Sequence, residues 1–221
     1  MVAHTPEGGI VVDQTVFYAT GGGQPGDSGQ ITWDGGMLDI ATAVKNGAWD
    51  IALVPAEPAV LPPVGTTIEQ QINAARRLRH MRVHTALHLL SVVIPLPVTG
   101  GSIGPEKGRL DFDMDAPPDD KDALQHSLDT LIAHNLPVRE EWISDADLAA
   151  NPGLVKTLSV APPAGEGQVR LIRIGLGEDT VDLQPCGGTH VASTGDIGAV
   201  RLGKIEKKGR QNRRVYLHLT D

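Results

Sequence analysis

Two short segments, far apart in the 221-residue chain, repeat one spacing of metal-ligand side chains. His84-Thr85-Ala86-Leu87-His88 places imidazoles at i and i+4, and Cys186-Gly187-Gly188-Thr189-His190 places a thiol and an imidazole at the same separation. Three imidazoles and a thiolate form a ligand set that zinc prefers. On a helix, residues four apart share a face, so His84 and His88 can reach one ion. Pro185 before Cys186 and two glycines after it predict a tight turn, which suits a ligand held at a loop tip. Each half alone has a plainer reading: the histidines as a polar helix edge, the cysteine as a small buried hydrophobe. Taken together, the four predict a zinc site, and a fold in which two distant segments meet.

The bulk properties narrow the class. The chain is 40% hydrophobic and 21% charged, as expected of a globular protein with one large domain or two modest ones. Aromatics are only 3%, so Val, Leu, Ile and Ala must build the core. No apolar run is long enough for a membrane span or resembles a signal peptide. Cys186 is the only cysteine, so no internal disulfide can form, and a cytoplasmic location is expected. The formal net charge of −8 argues against a generic nucleic-acid binder, but the basic residues are not evenly spread. Arg76, Arg77, Arg79 and Arg82 precede the histidine pair. Arg201, Lys204, Lys207, Lys208, Arg210, Arg213 and Arg214 follow the cysteine pair. Basic segments beside a reactive centre suggest a polyanionic substrate; solvated charged faces are the plainer alternative.

Residues 1–75 read as short strands: Ile10 to Tyr18, Gln30 to Trp33, Met37 to Val44, Trp49 to Val54 and Thr67 to Ile72. Asp34-Gly35-Gly36 and Asn46-Gly47 read as hairpin turns, and strands at this spacing suggest a small β-barrel. From residue 76 the character changes to α+β. Ala75 to Val93 lacks Pro and Gly and predicts a helix carrying His84 and His88. A second helix, capped by Asp119 or Asp120, puts Leu124, Leu128, Leu131 and Ile132 on one face. Ser144 caps a short third helix through Ala150. Strands are expected at Arg109 to Met114, Val138 to Ile143, Gln168 to Ile174, Thr180 to Leu183, Gly198 to Ile205 and Arg213 to Leu219. The glycine-rich stretch Thr20 to Gly29 fits neither a P-loop nor a dinucleotide fingerprint. By composition it reads as an unusual hairpin turn, with backbone amides that a ligand could approach closely.

The motifs His84-Thr-Ala-Leu-His88-Leu-Leu and Cys186-Gly-Gly-Thr-His190-Val resemble the editing domain of alanyl-tRNA synthetase. They resemble still more its free-standing AlaX relatives. Asp13 through Gly29 is similar to the signature that opens the longer AlaX forms. Gly101-Ser102, Arg109 through Phe112, and Asn212 through Tyr216 also look like family elements. The resemblance covers nearly the whole chain, in order and spacing. It implies a barrel like domain II of translation factors over 1–75, then a zinc-containing editing domain of the threonyl/alanyl-tRNA synthetase type over 76–221.

The implied activity is trans-editing: hydrolysis of the ester of mischarged alanine tRNA, chiefly the seryl product. Zn2+ would be held by His84, His88, Cys186 and His190. The implied substrate-binding residues are Gly22, Gly23 and Gln24 of the glycine stretch, and Thr99 for the seryl hydroxyl. Arg213 and Arg214 are expected to contact tRNA. A site built to bind an OH can reject an analogue lacking it. No general base stands out, and Thr85 after His84 departs from the His-Glu-x-x-His pattern of proteases. An open coordination position would require that one ligand, His190 first among them, not bind throughout. Alternatives are a tRNA-binding module with structural zinc, or editing of seryl-tRNA on a threonine acceptor. The oligomeric state is left open between monomer and homodimer.

Overall fold

Alternating apolar residues and glycine turns shape the first part of the chain into strands. In the computed structural model, which describes residues 3–47, 50–157 and 167–220, these are β1 (Ala3–His4), β2 (Ile10–Val11), β3 (Gly29–Trp33), β4 (Gly36–Asn46), β5 (Asp50–Pro55) and β6 (Glu69–Ile72). They pair antiparallel in the order β1-β2-β5-β4-β3-β6. Ile10, Phe17, Ile31, Ile40 and Leu53 fill the core beside this sheet. The expected barrel is corrected here to an open sheet: among the described residues its edge strands β1 and β6 do not pair with each other.

The long strand expected from Ile10 to Tyr18 stops at Val11. Side chains take the amides that a neighbouring strand would have used. Gln70 Oε1 accepts from Val16 N at 3.3 Å, Thr15 Oγ1 from Phe17 N at 3.1 Å, and Asp27 Oδ2 from Tyr18 N at 2.7 Å. Trp49, the expected start of β5, lies outside the described residues. The β3–β4 hairpin turns at Asp34-Gly35, where Gly35 takes φ 104°.

Freedom from Pro and Gly lets helix α1 run from Ala74 to Val93, and Pro95 ends it. The chain then continues through β7 (Val98–Ile103), β8 (Lys107–Asp113), α2 (Lys121–Ala133), β9 (Val138–Ser144), α3 (Asp145–Ala150), β10 (Gln168–Ile174), β11 (Asp182–Pro185), β12 (Val200–Gly209) and β13 (Asn212–Leu219). Two antiparallel sheets form, β12-β13-β8-β7 and β11-β10-β9. By its contacts the chain divides into two units, Met1–Leu78 and Arg79–Asp221. The architecture is mixed α and β, mostly sheet.

In the second unit, α1, α2 and both sheets share one core. Phe112 is its one aromatic among the described residues, with Leu89, Leu90, Leu128, Ile174, Ile197, Val215 and Leu217 among its buried members. Each such large side chain contributes about 1.5–3 kcal/mol of burial. Asp120 caps α2 by accepting from Ala123 N at 2.8 Å, and Ser144 with Asp147 forms a reciprocal capping box on α3. Gly108 lets α1 seat on β8, since a Cβ there would fall 2.6 Å from Val83 Cγ1 and 2.8 Å from Leu87 Cδ1. Among the described residues, no helix is long and apolar enough to cross a membrane.

Candidate metal centre

Helix α1 is buried almost all round from Val83 to Ser91. His84 and His88, four residues apart, therefore present their imidazoles to the protein interior, each 7% exposed. The second pair arrives from β11. Pro185 ends that strand, and the following turn is held by Arg170, whose Nη1 donates to the carbonyls of Cys186 and Gly188 at 2.9 Å each. Cys186 Sγ accepts from Gly188 N at 3.4 Å inside the same turn.

The structure brings His84, His88, Cys186 and His190 together, with one ligand atom from each within 4.8 Å of all the others. Cys186 Sγ lies 3.4 Å from His84 Nε2 and 3.3 Å from His190 Nε2. Bond lengths of about 2.0–2.1 Å for Zn–N and 2.3 Å for Zn–S give a tetrahedron with edges of about 3.3–3.6 Å. The donor set and the two sulfur–nitrogen distances fit a zinc ion.

Neighbouring groups fix which ring nitrogen faces inward. Thr85 Oγ1 donates its single proton to Met81 O at 2.9 Å, so towards His190 Nδ1, at 3.1 Å, it can only accept. That places the proton on Nδ1 and the lone pair on Nε2, towards Cys186. His88 Nδ1 donates to Asp182 Oδ2 at 2.9 Å. Asp182 is itself almost wholly buried, and it accepts from Lys156 Nζ at 2.5 Å and Gln184 Nε2 at 2.8 Å. A ligating histidine commonly gives its second N–H to a carboxylate, which orients the ring and raises its basicity.

Electrostatics suit the same chemistry. Burial opposes ionisation of Cys186, but the adjacent imidazoles, His84 first, outweigh it and hold the thiol well below its ordinary value. Burial, with His84 and His88 nearby, pushes His190 down to about 3, leaving it neutral. Burial also disfavours charge on His88, but the bond to Asp182 prevails and raises it to about 9. Burial would raise Asp182, yet His88 and Lys156 together hold it below the usual carboxylate range.

The other expected site residues have their own contacts within each unit. Thr99, in β7, donates to Asp111 O at 3.1 Å and accepts from Asn212 Nδ2 at 3.0 Å. Gly22 and Gly23, with φ 55° and 81°, form a two-residue turn in the first unit, closed by reciprocal Gly21–Gln24 backbone bonds of 3.1 and 2.9 Å. Both central residues need positive φ, which is what Gly-Gly supplies; Gln24 is fully buried. Arg213 is 7% exposed and donates to the carbonyls of Gly209, Asn212 and Asp115. Arg214 makes a two-pronged bond to Asp111, at 2.8 Å on each arm. Arg76 and Arg77 hold the glycine stretch through Gly26 O and Asp27, within the first unit. Arg82 Nε donates to Ile197 O at 2.7 Å.

Asp182 and Lys156 were not singled out by sequence reading. A signal for Asp182 existed: Asp182 and Gln184 alternate along the strand that leads into Cys186, and so share a face. Lys156 follows a 3-10 turn and no local pattern marks it.

Residues 1–76 match the family described as tRNA synthetases class II (A), and residues 169–216 match the threonyl and alanyl tRNA synthetase second additional domain. The alanyl-tRNA editing protein AlaX-M of Methanosarcina acetivorans is 32% identical over 222 residues, covering 96% of this chain and 89% of its own. The same-named protein of Methanosarcina barkeri is 32% identical over 220 residues, with 96% and 89% covered. An alanine–tRNA ligase of Methanothermobacter thermautotrophicus is 35% identical over 211 residues, spanning 91% of this chain but 22% of the ligase. With relatives this similar along nearly their whole length, and with both synthetase-derived segments in place, the chain belongs to the AlaX-M family of alanyl-tRNA editing proteins.

Proposed function

We propose that this protein is a trans-editing hydrolase that removes the amino acid, chiefly serine, from mischarged alanine tRNA. We further propose that its centre is a zinc site. The observation that carries the reading is the convergence of His84, His88, Cys186 and His190 on one point, in a chain of this family. When bound there, zinc supplies Lewis acidity towards an ester carbonyl or a water.

The chain's own residues prepare that point. The adjacent imidazoles hold the Cys186 thiol well below its ordinary value, which favours the thiolate. Asp182 fixes the ring and proton of His88, and Thr85 does so for His190. Arg170 keeps the Cys186 turn in shape. The aminoacyl ester is already activated, so positioning and charge stabilisation suffice, and no strongly basic side chain is required. Thr99 is the residue we assign to telling seryl from alanyl.

The test uses metal-loaded and metal-stripped protein with seryl- and alanyl-charged alanine tRNA, following ester loss. Seryl-tRNA should be hydrolysed faster than alanyl-tRNA, and only by the loaded protein. Binding of tRNA without hydrolysis of either ester would leave a binding module with structural metal. Full activity of the stripped protein would remove zinc from the mechanism.

A further inference from the structure

The β12–β13 hairpin holds the densest positive charge of the second unit. Residues 201–211 contain five basic side chains and one acid, in a chain of net charge −8. Its base is anchored: Val200, Leu202, Val215 and Leu217 are buried in the core. Its tip is not, since every residue from Lys207 to Gln211 is exposed. Glu206 pairs with Lys204 and Lys208, whereas Lys207 and Arg210 make no ion pair among the described residues.

The tip is also braced. Gly209 and Asn212 pair across the turn, and buried Arg213 donates to both of their carbonyls. Through these bonds the Arg213 guanidinium stiffens the loop that carries the exposed cations. Further down β13, His218 is pushed below its ordinary value by burial, then by the positive charges of Arg201, Lys107 and Lys121. The positive field therefore extends from the tip to the base.

We propose that this hairpin tip, through Lys207 and Arg210 above all, docks the phosphate backbone of the RNA whose aminoacyl end is edited. The inference rests on the editing function proposed above and names the surface that holds its substrate. A small cationic patch on an otherwise acidic protein attracts a polyanion in one orientation, because the remaining surface repels it. Lysines on an edge strand also guard against edge-to-edge pairing. Arg210, however, sits in the turn beyond the ladder, where that role does not apply.

The experiment compares two double variants of the full chain with equal change in net charge. One is Lys207→Glu with Arg210→Glu. The control is Lys45→Glu with Arg139→Glu, at exposed positions outside the hairpin. Binding of uncharged alanine tRNA is followed by fluorescence anisotropy between about 50 and 300 mM salt. The hairpin variant should bind at least about tenfold more weakly at low salt, with a log–log salt slope smaller by about 2. Its KM for seryl-tRNA should rise much more than its kcat falls. The control should lose less than about threefold.

Alanine versions at Lys207 and Arg210 should shift the slope in the same direction, which covers any misfolding of the glutamate variant. Equal loss in both pairs, an unchanged slope, or hairpin-dependent binding of anionic vesicles in place of tRNA would overturn the proposal. Wild-type protein that binds tRNA through the hairpin but cleaves no ester would instead sink the editing function and leave this surface standing.

Discussion

The four-residue centre and the Arg213–Arg214 pair carry side chains of equally suggestive type, yet the fold uses them in opposite ways. At the centre, Thr85 and Asp182 take the outward nitrogens of His190 and His88, and the inward nitrogens converge with the Cys186 sulfur. The Gly188 amide reaches the sulfur, which in turn lies against the ring nitrogens of His84 and His190, an arrangement that suits a shared ion. In the arginine pair the donors already face the chain's own acceptors: three carbonyls for Arg213 and the Asp111 carboxylate for Arg214. Burying such groups without partners costs several kcal/mol, so these partners are structural necessities. Residue type identifies a chemistry; where the remaining bonding capacity points decides whether it is offered to a ligand.

The sharpest way to break the contrast is to remove a converging ligand. Cys186→Ala and His88→Ala should each abolish metal retention and deacylation, with affinity losses greater than the 10–100-fold typical of outer-sphere changes. Metal content after dialysis and single-turnover ester loss measure both. A variant that keeps stoichiometric metal and activity would show that its residue does not belong to the centre.

A smaller effect is expected one step outward. Asp182→Asn keeps the shape but removes the charge that orients His88, and it should lower metal affinity about 10–100-fold in chelator competition. The pH dependence sharpens this. His88 stands at about 9 in the metal-free site, against about 6.5 in an unfolded chain. A raised value means that its stabilisation is fully present below about 6.5 and is lost as pH rises through about 9. Metal must displace that proton, so apparent affinity should weaken as pH falls below about 9, by up to tenfold per unit from this group. Asp182→Asn should flatten both trends. An unchanged profile would mean that the carboxylate does not set the proton on His88.

Much of this was legible in the sequence, and the misses share a cause. Helix α1, the Ser144 cap and the ends of β10 follow from local signals: no Pro or Gly, a capping box, alternation. The convergence of His84, His88, Cys186 and His190 was legible because their spacing repeats. Barrel closure was not, since edge pairing is a long-range property that strand lengths do not encode. The strand expected after Val11 failed because distant side chains, Gln70 and Asp27, captured its amides. Lys156 was invisible for the same reason: its partner Asp182 is close only in the fold. Basic clusters near the centre were visible as charge, but which cations remain exposed depends on acceptors that only the tertiary structure brings near.

Thr99 stands between the two regions, and its variant should have the smallest effect. Its hydroxyl proton goes to Asp111 O and it accepts from Asn212 Nδ2, so part of its capacity is structural, as in the arginine pair. Under the role proposed for it, Thr99 would accept from the seryl hydroxyl, the group that separates serine from alanine. Thr99→Val removes that acceptor and strands the Asn212 amide. One neutral hydrogen bond is worth about 0.5–1.5 kcal/mol, so the seryl-to-alanyl ratio of kcat/KM should fall about 2- to 10-fold. Thermal stability should drop as well, and Thr99→Ser separates the two effects by restoring the hydroxyl without the methyl. If the ratio holds in Thr99→Val while stability falls, Thr99 belongs wholly with Arg213 and Arg214, as a brace between β7, β8 and β13, and the serine-reading group must be sought among the residues facing the metal.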